Sequence, residues 1–246
     1  MHTLINHDAY GAIDATAGVH CIFADPPDGI GLKYGDAYND RRDGHDYLVW
    51  LQDFLYLSVQ KCNVMWLSYN ARWTFAVGGT VSWLLEEFDF LEAKPCVQTF
   101  TFGQHNHHDL GNNHRPLVRF LRRGTPLYPD QIRIPSWRQL HGDARADSRG
   151  RVPGDVFDFP RVTGNSRQRR SWHPTQLNEG LVARCLQLVC KEGDTVFDPF
   201  AGTGTTLRVC KQLNLPCTLV EIDPGYCKRI AEEHGMTDKG DGSWTL

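Results

Sequence analysis

Two short segments of this chain carry residue types and spacings suited to a reaction. The first is Asp25-Pro26-Pro27-Asp28. Each proline fixes φ near about −65° and removes an N–H donor, so two in succession stiffen the loop and hold the carboxylate at position 25. A carboxylate held that way can accept a hydrogen bond from an amino group and aim the nitrogen lone pair at an electrophile. The second segment is FDPFAGTGTTLRV, residues 197–209. Gly202 and Gly204 let the backbone approach a ligand closely, and the helix that follows offers unpaired N–H groups at its start. The next strand ends in Glu221-Ile222-Asp223, where an acid is placed to hold ribose hydroxyls. No lysine follows Gly204, which excludes a Walker loop, and Leu207 stands where GxGxxG requires its last glycine.

These segments need strands to deliver them. VHCIFA (19–24) is an apolar run that stops at Asp25, as a buried parallel strand does where it meets a loop. Apolar residues at 47, 48, 51, 54, 55 and 59 mark an amphipathic helix. Residues 63–69 read as another buried strand and 72–88 as a helix loosened by Gly78-Gly79. Residues 95–102 and 116–123 are strand-like. Periodicity vanishes from 124 to 172, then resumes with a helix near 176–191, a strand at 195–198, a helix from about 205, a strand at 217–223 and a helix at 224–234. Thr175, with Asn178 and Glu179 after it, suits the N-cap of the first of these helices. Strands alternating with helices predict a parallel α/β sheet in one large domain.

The net charge of −3 argues weakly against a nucleic-acid partner, but its distribution argues the other way. Residues 115–172 hold 13 arginines, no lysine and 5 aspartates, a net +8, which leaves −11 for the remainder. Such asymmetry marks a surface for a polyanion, and arginine favours bidentate contact with phosphate or guanine. The eight cysteines lie mostly in apolar runs and form no C-x-x-C pair, so buried free thiols are expected. No metal site is expected. Gln104-His105-Asn106-His107-His108 spells HNH, but adjacent side chains diverge too far to chelate one ion. No apolar run could cross a bilayer and no secretory layout opens the chain, so a cytoplasmic protein without membrane contact is expected.

The two segments, together with Trp172-His173-Pro174-Thr175-Gln176, resemble the amino-methyltransferases of DNA that modify N6 of adenine or N4 of cytosine. Asp25-Pro26-Pro27-Asp28 is similar to that family's DPPY, His173-Pro174-Thr175-Gln176 to its HPTQ segment, and residues 198–206 to its DPFxGxGTT loop. With the catalytic loop first and the cofactor half last, the order is that of the beta group, a circular permutation. The resemblance implies a Rossmann-like fold with a mixed, mainly parallel sheet and an inserted target-recognition region. It divides the single domain into a catalytic half (1–103), a recognition region (104–170) and a cofactor half (171–246).

The implied cofactor is S-adenosyl-L-methionine, held by Asp198, Phe200, Gly202, Thr203, Gly204, Thr205, Thr206, His173, Thr175 and Gln176, with Glu221 and Ile222 at the second strand tip. His7-Asp8 occupies the place of the family's Gly-Asp element, which puts Asp8 near the cofactor adenine. Asp25, Pro26, Pro27 and Asp28 form the catalytic loop. The family carries an aromatic where this chain has Asp28, and that ring stacks on a flipped base; Tyr34 or Tyr38 is expected to replace it. Tyr34, Asn113, Arg115, Arg167, Arg169 and Arg170 are the expected DNA contacts. The partner is double-stranded DNA with a flipped target base, and a homodimer is the assembly to test. The activity implied is methylation of adenine N6, as in restriction-modification systems. Cytosine N4, an RNA target and a catalytically inactive DNA-binding module are the alternatives.

Overall fold

The structure is a computed structural model that describes residues 1–35, 37–100 and 107–246. Strand β1 (His2–Asn6), helix α1 (Ala9–Ala15) and strand β2 (Val19–Ala24) open the chain. A small ribbon of β3 (Lys33–Tyr34) and β4 (Tyr38–Asn39) precedes helix α2 (Gly44–Lys61) and strand β5 (Cys62–Ser68). Helix α3 (Thr74–Glu87) leads to β6 (Leu91–Thr99) and β7 (His114–Arg122). The Arg-rich stretch contains the short helix α4 (Trp137–Leu140) and strand β8 (Val156–Asp158). Then follow α5 (Glu179–Val189), β9 (Val196–Asp198), α6 (Thr205–Gln212), β10 (Cys217–Glu221) and α7 (Pro224–His234). A hairpin of β11 (Thr237–Asp238) and β12 (Ser243–Thr245) comes last.

Ten strands form one sheet in the order β11-β12-β1-β10-β9-β2-β5-β7-β6-β8. The central run from β1 to β5 is parallel, while β7 pairs antiparallel with both β5 and β6. Side chains alternate across it as strand geometry requires. Cys21 and Phe23 of β2, with Val64 and Trp66 of β5, face the core built with α5, α6 and α7. Ile22, Ala24, Met65 and Leu67 face α1, α2 and α3. The expected α/β architecture is therefore present, covered on both faces. From β9 the chain continues toward β10, whereas from β2 it continues toward β5. The carboxyl ends of β9 and β2 thus border a topological switch point, the place where open α/β sheets bind ligands.

Several expectations change. The helix beginning near 176 starts instead at Glu179, capped by Asn178, whose side chain accepts from the Gly180 N–H. Thr175 is not the cap. Gly78 and Gly79 do not interrupt α3, because burial of Val77 and Leu84 outweighs a cost of about 1 kcal/mol per glycine. Strand β1, which left no clear sequence signal, pairs with β10 and so lies beside the carboxyl-terminal strands. The HNH spelling lies partly outside the described residues.

Candidate active site

The carboxyl ends of β2, β9 and β10 open into one cavity of about 300 Å³. Asp25 follows β2, Asp198 ends β9 and Glu221 ends β10, so three distant carboxylates meet there. Pro26, Pro27, Phe200, Trp50, Tyr34 and Tyr38 give the cavity a largely apolar wall.

The Asp25–Asp28 loop is held from behind. The Tyr47 hydroxyl donates to the Pro27 carbonyl at 2.8 Å, and the Trp73 indole N–H donates to the Asp28 carbonyl at 2.8 Å. These two rings stack with centroids 4.8 Å apart. Beyond the loop, the carboxylate of Asp40 accepts the backbone N–H groups of Gly29, Ile30, Gly31 and Leu32 at 2.8–3.0 Å. Asp40 is only 2% exposed, so it fixes the glycine-rich turn as a helix cap fixes a first turn. Tyr34 and Tyr38, the expected ring replacements, both line the cavity, and their rings lie edge to face at 6.2 Å. The buried hydroxyl of Tyr38 has no partner among the described residues.

Arg115 is not on a DNA-facing loop. Its strand, β7, runs antiparallel to β5, so its first residues arrive at the carboxyl ends of β5 and β2. There the guanidinium donates to Asp25 Oδ1 at 2.6 Å, Asp28 Oδ1 at 2.8 Å and Ser68 Oγ at 2.7 Å. The residue expected to contact DNA therefore has three of its five N–H groups engaged by protein acceptors inside the cavity. Burial pushes the Asp25 pKa above the usual carboxylate range, against the pull of the Arg115 charge. Asp28 is 6% exposed and sits where a ring was expected. A charge at a buried loop tip calls for a buried opposite charge. That is the signal that could have found Arg115; Ser68 carried none.

In the glycine loop, Gly202 and Gly204 adopt positive φ of 52° and 73°. A Cβ at Gly202 would lie 3.3 Å from His173 Nε2, and one at Gly204 would lie 3.2 Å from Ile230. Both positions therefore need glycine for conformation and for space. Glu221 accepts from the Gly202 and Asp223 N–H groups at 2.8 and 2.9 Å, joining the loop to the strand tip. Burial raises the pKa of Glu221 to about 7, and that of Asp198 likewise to about 7. Asp198 accepts from the Phe200 N–H, and the Phe200 ring packs on Trp50 and Phe54. Thr203, Thr205, Thr206, Thr175 and Gln176 also line the cavity. Ile222 and Asp8 line the cavity too, and Asp8 caps α1 through the Gly11 N–H. His173 directs Nδ1 at the Thr175 carbonyl, and burial lowers its pKa to about 4, so the ring is neutral near pH 7. No cysteine lines the cavity, those of Pro95-Cys96 and Pro216-Cys217 included.

Much of the Arg-rich stretch is paired locally. Arg133 holds Asp130, Arg145 holds Asp143 and Arg149 holds Asp147. Arg170 forms a two-bond pair with Glu233 at 2.6 and 2.8 Å, and Arg169 donates to the carbonyls of Arg170 and His173. Arg208, which no motif marks, links Glu179 of α5 to Thr203 of the glycine loop. Arg169 and Arg170 are thus fasteners of the 168–176 segment, whereas Arg167 and Asn113 are exposed.

An open α/β sheet with its cavity at the strand switch point defines a Rossmann-like fold of the methyltransferase kind. Residues 19–233 match the DNA methylase family of N6/N4 type, and the chain belongs to that family. Among its relatives, the Type II methyltransferase M.BglII of Bacillus subtilis is 28% identical over 211 residues, covering 76% of this chain and 57% of that protein. DNA adenine methyltransferase YhdJ of Escherichia coli K12 is 25% identical over 251 residues, covering 92% and 80%. The PvuII DNA methyltransferase (cytosine-N4-specific) shares the fold with a TM-score of 0.72 at 12% identity, over 96% of this chain and 86% of that one. The M1.HpyAVI–SAM complex gives 0.66 at 17% identity, over 95% and 99%. The chain spans little more than half the length of the M.BglII relative and 67% of M.HpaI of Haemophilus parainfluenzae. Among the described residues no helix is long and apolar enough to cross a membrane.

Proposed function

We propose that this protein transfers a methyl group from S-adenosylmethionine to the exocyclic N6 of adenine in DNA. The observation that carries the reading is the meeting of Asp25, the glycine loop and Glu221 in one cavity. The cavity suits that cofactor: a Cβ at either glycine would crowd the loop, a buried acid stands at the second strand tip, and α6 turns its open N-terminus to the loop. When bound, the cofactor supplies an electrophilic methyl group.

Asp25 accepts a hydrogen bond from the target amine and draws its nitrogen toward a tetrahedral geometry, assisted by the Pro26 carbonyl. The amine lies beyond reach in a duplex, so the base must be flipped into the cavity. Tyr34 and Tyr38 supply the aromatic contact that position 28 lacks. Positioning and electrostatics then provide the rate. The 104–170 region takes the recognition role, with exposed Arg167 and Asn113 as its DNA contacts.

Mass spectrometry of nucleosides from DNA treated with the protein and the cofactor tests this. N6-methyladenine is expected. N4-methylcytosine would establish the alternative target that the family also covers, and unmodified DNA bound by the protein would leave a binding module.

Two further results are expected. Glu221→Ala removes the acceptor for the ribose hydroxyls and should weaken cofactor binding by about 1.5–3 kcal/mol, or roughly 10–150-fold. Hydroxyl donors favour the ionised carboxyl, whose pKa is about 7 in the free protein. Affinity should therefore rise from about pH 6 to about pH 8 and then level, and Glu221→Gln should flatten that rise. Titration calorimetry across pH reads both; an unchanged constant in Glu221→Ala would remove the acid from the cofactor site.

Arg167→Gln should flatten the log–log salt dependence of DNA binding by about 0.9, the loss of one phosphate contact. Arg170→Gln should leave that slope alone and lower thermal stability, since it breaks the pair with Glu233. Fluorescence anisotropy at several salt concentrations, beside melting curves, separates the two; a flattened slope in Arg170→Gln would restore it to the DNA surface.

A further inference from the structure

Asp25 and Asp28 stand three positions apart on one rigid loop, beside a cavity that also holds Asp198. Neighbouring carboxylates in a poorly solvated site cannot all ionise without a cation, and one of them takes up a proton instead. The guanidinium of Arg115 lies between the pair and touches both, with its third bond on Ser68. Arginine cannot give up its proton in this range, so its charge is permanent. Its planar fork also fixes directions: with Ser68 holding Nε and Asp28 holding Nη1, the Nη2 group determines where the Asp25 carboxylate points. Asp28 is fixed in turn through its carbonyl by Trp73. The three charges sum to −1, and a carboxylate has about four acceptor positions, so Asp25 keeps capacity for an amine after Arg115 and the Ser68 hydroxyl have each taken one.

We propose that Arg115 is a positioning residue that keeps Asp25 ionised and aimed, and that Asp28 stands at the aromatic position of the family motif to hold that guanidinium. The proposal deepens the methyltransferase reading and rests on it for the role of Asp25. Other groups facing Asp25 are few. Ser68 at the end of β5 hydrogen-bonds it, Asp198 lies across the cavity on β9, neutral His173 on the 173–177 segment, Tyr38 on the ribbon and Arg42 just after it, and Tyr34 and Tyr47 contact the loop itself. Only Arg115 supplies a cation in contact with Asp25 among the described residues.

Two substitutions should move the titration of Asp25 in opposite directions. Arg115→Met leaves two adjacent carboxylates without their cation, and the Asp25 midpoint should rise by about 1–3 units. Asp28→Asn keeps an acceptor for Arg115 but removes the neighbouring negative charge, and the midpoint should fall. Arg115→Lys keeps the charge without the fork and should lie between wild type and Arg115→Met. Carbon-13 NMR of labelled aspartate carboxyls in the full-length protein, with Asp25→Asn to assign the signal, reads these shifts whether or not the protein is active. In parallel, the acid limb of kcat for methyl transfer to DNA should follow each midpoint, with Arg115→Met recovering to within about tenfold of wild type at high pH. If Arg115→Met does not fold, the opposed shifts of Arg115→Lys and Asp28→Asn carry the test. An Asp25 midpoint unmoved by these substitutions, or moved in one direction by both, overturns the proposal and reduces the cluster to a structural tie. Midpoints that shift as expected in a protein transferring no methyl group support the coupling and overturn the methyltransferase reading instead.

Discussion

Asp25→Asn is expected to cut methyl transfer to DNA by at least about 100-fold while S-adenosylmethionine still binds within about tenfold of the wild-type affinity. The substitution is nearly isosteric, and the loop should keep its place because Tyr47 and Trp73 hold it through backbone carbonyls at Pro27 and Asp28. What changes is the chemistry at one point. The amide has lost the negative charge that favours a developing positive charge on the target amine. It also brings an NH₂ group that can face that amine donor to donor. Arg115, which shares its bonds between Asp25 and Asp28, is left with one carboxylate. Tritiated-methyl incorporation beside titration calorimetry separates transfer from binding. A variant that keeps more than about a tenth of wild-type activity would take Asp25 out of the reaction.

Asp40→Ala should be the most damaging change in stability. Its carboxylate satisfies four consecutive backbone N–H groups, and removal leaves them without a partner in a partly buried turn. Bonds to a charged group contribute about 1.5–3 kcal/mol each and are not additive, so a loss of about 3 kcal/mol or more is expected. For a chain of this size that corresponds to a fall of about 6–12 °C in the melting midpoint. Asp40→Asn retains a single carbonyl oxygen and should lie between. Because the turn carries Tyr34 into the cavity, activity should fall further than unfolding alone explains. A midpoint lowered by less than about 2 °C would mean that water replaces the carboxylate.

The sequence was most legible where one residue type does one local job. Apolar runs stopping at Asp25 and Asp198 marked β2 and β9, and the helix expected at 224–234 is α7, which the Asp223 side chain caps. The cavity itself followed from motif order, because strand ends in a parallel sheet converge on one edge. What stayed hidden depends on pairing across distance. A count of arginines sees charge but not its neutralisation, so Arg145 with Asp143 and Arg170 with Glu233 looked like free cations. Arg115 lies next to Ser68 only because β7 reverses direction beside β5. Asp40 caps N–H groups eight to eleven residues behind it, a spacing that leaves no periodic trace. The cap of α5 was misplaced because Thr175 and Asn178 are both good capping residues, and the HPTQ stretch had to remain extended along the cavity.

The pairing of β1 with both β10 and β12 brings His2 and Leu246 into reciprocal backbone hydrogen bonds at 3.2 and 3.0 Å. Residues at opposite ends of the numbering are therefore next-door neighbours, and a bridge of a few amino acids could join them. With such a bridge in place the chain that forms the strands of this sheet would be a closed ring. Opened in another exposed loop, the same ring would present its glycine loop first and its Asp-Pro-Pro loop second, with every strand keeping its partners. For a sheet wired like this one, rearranging the coding order is a short evolutionary step, and relatives with reshuffled segments can share a single architecture.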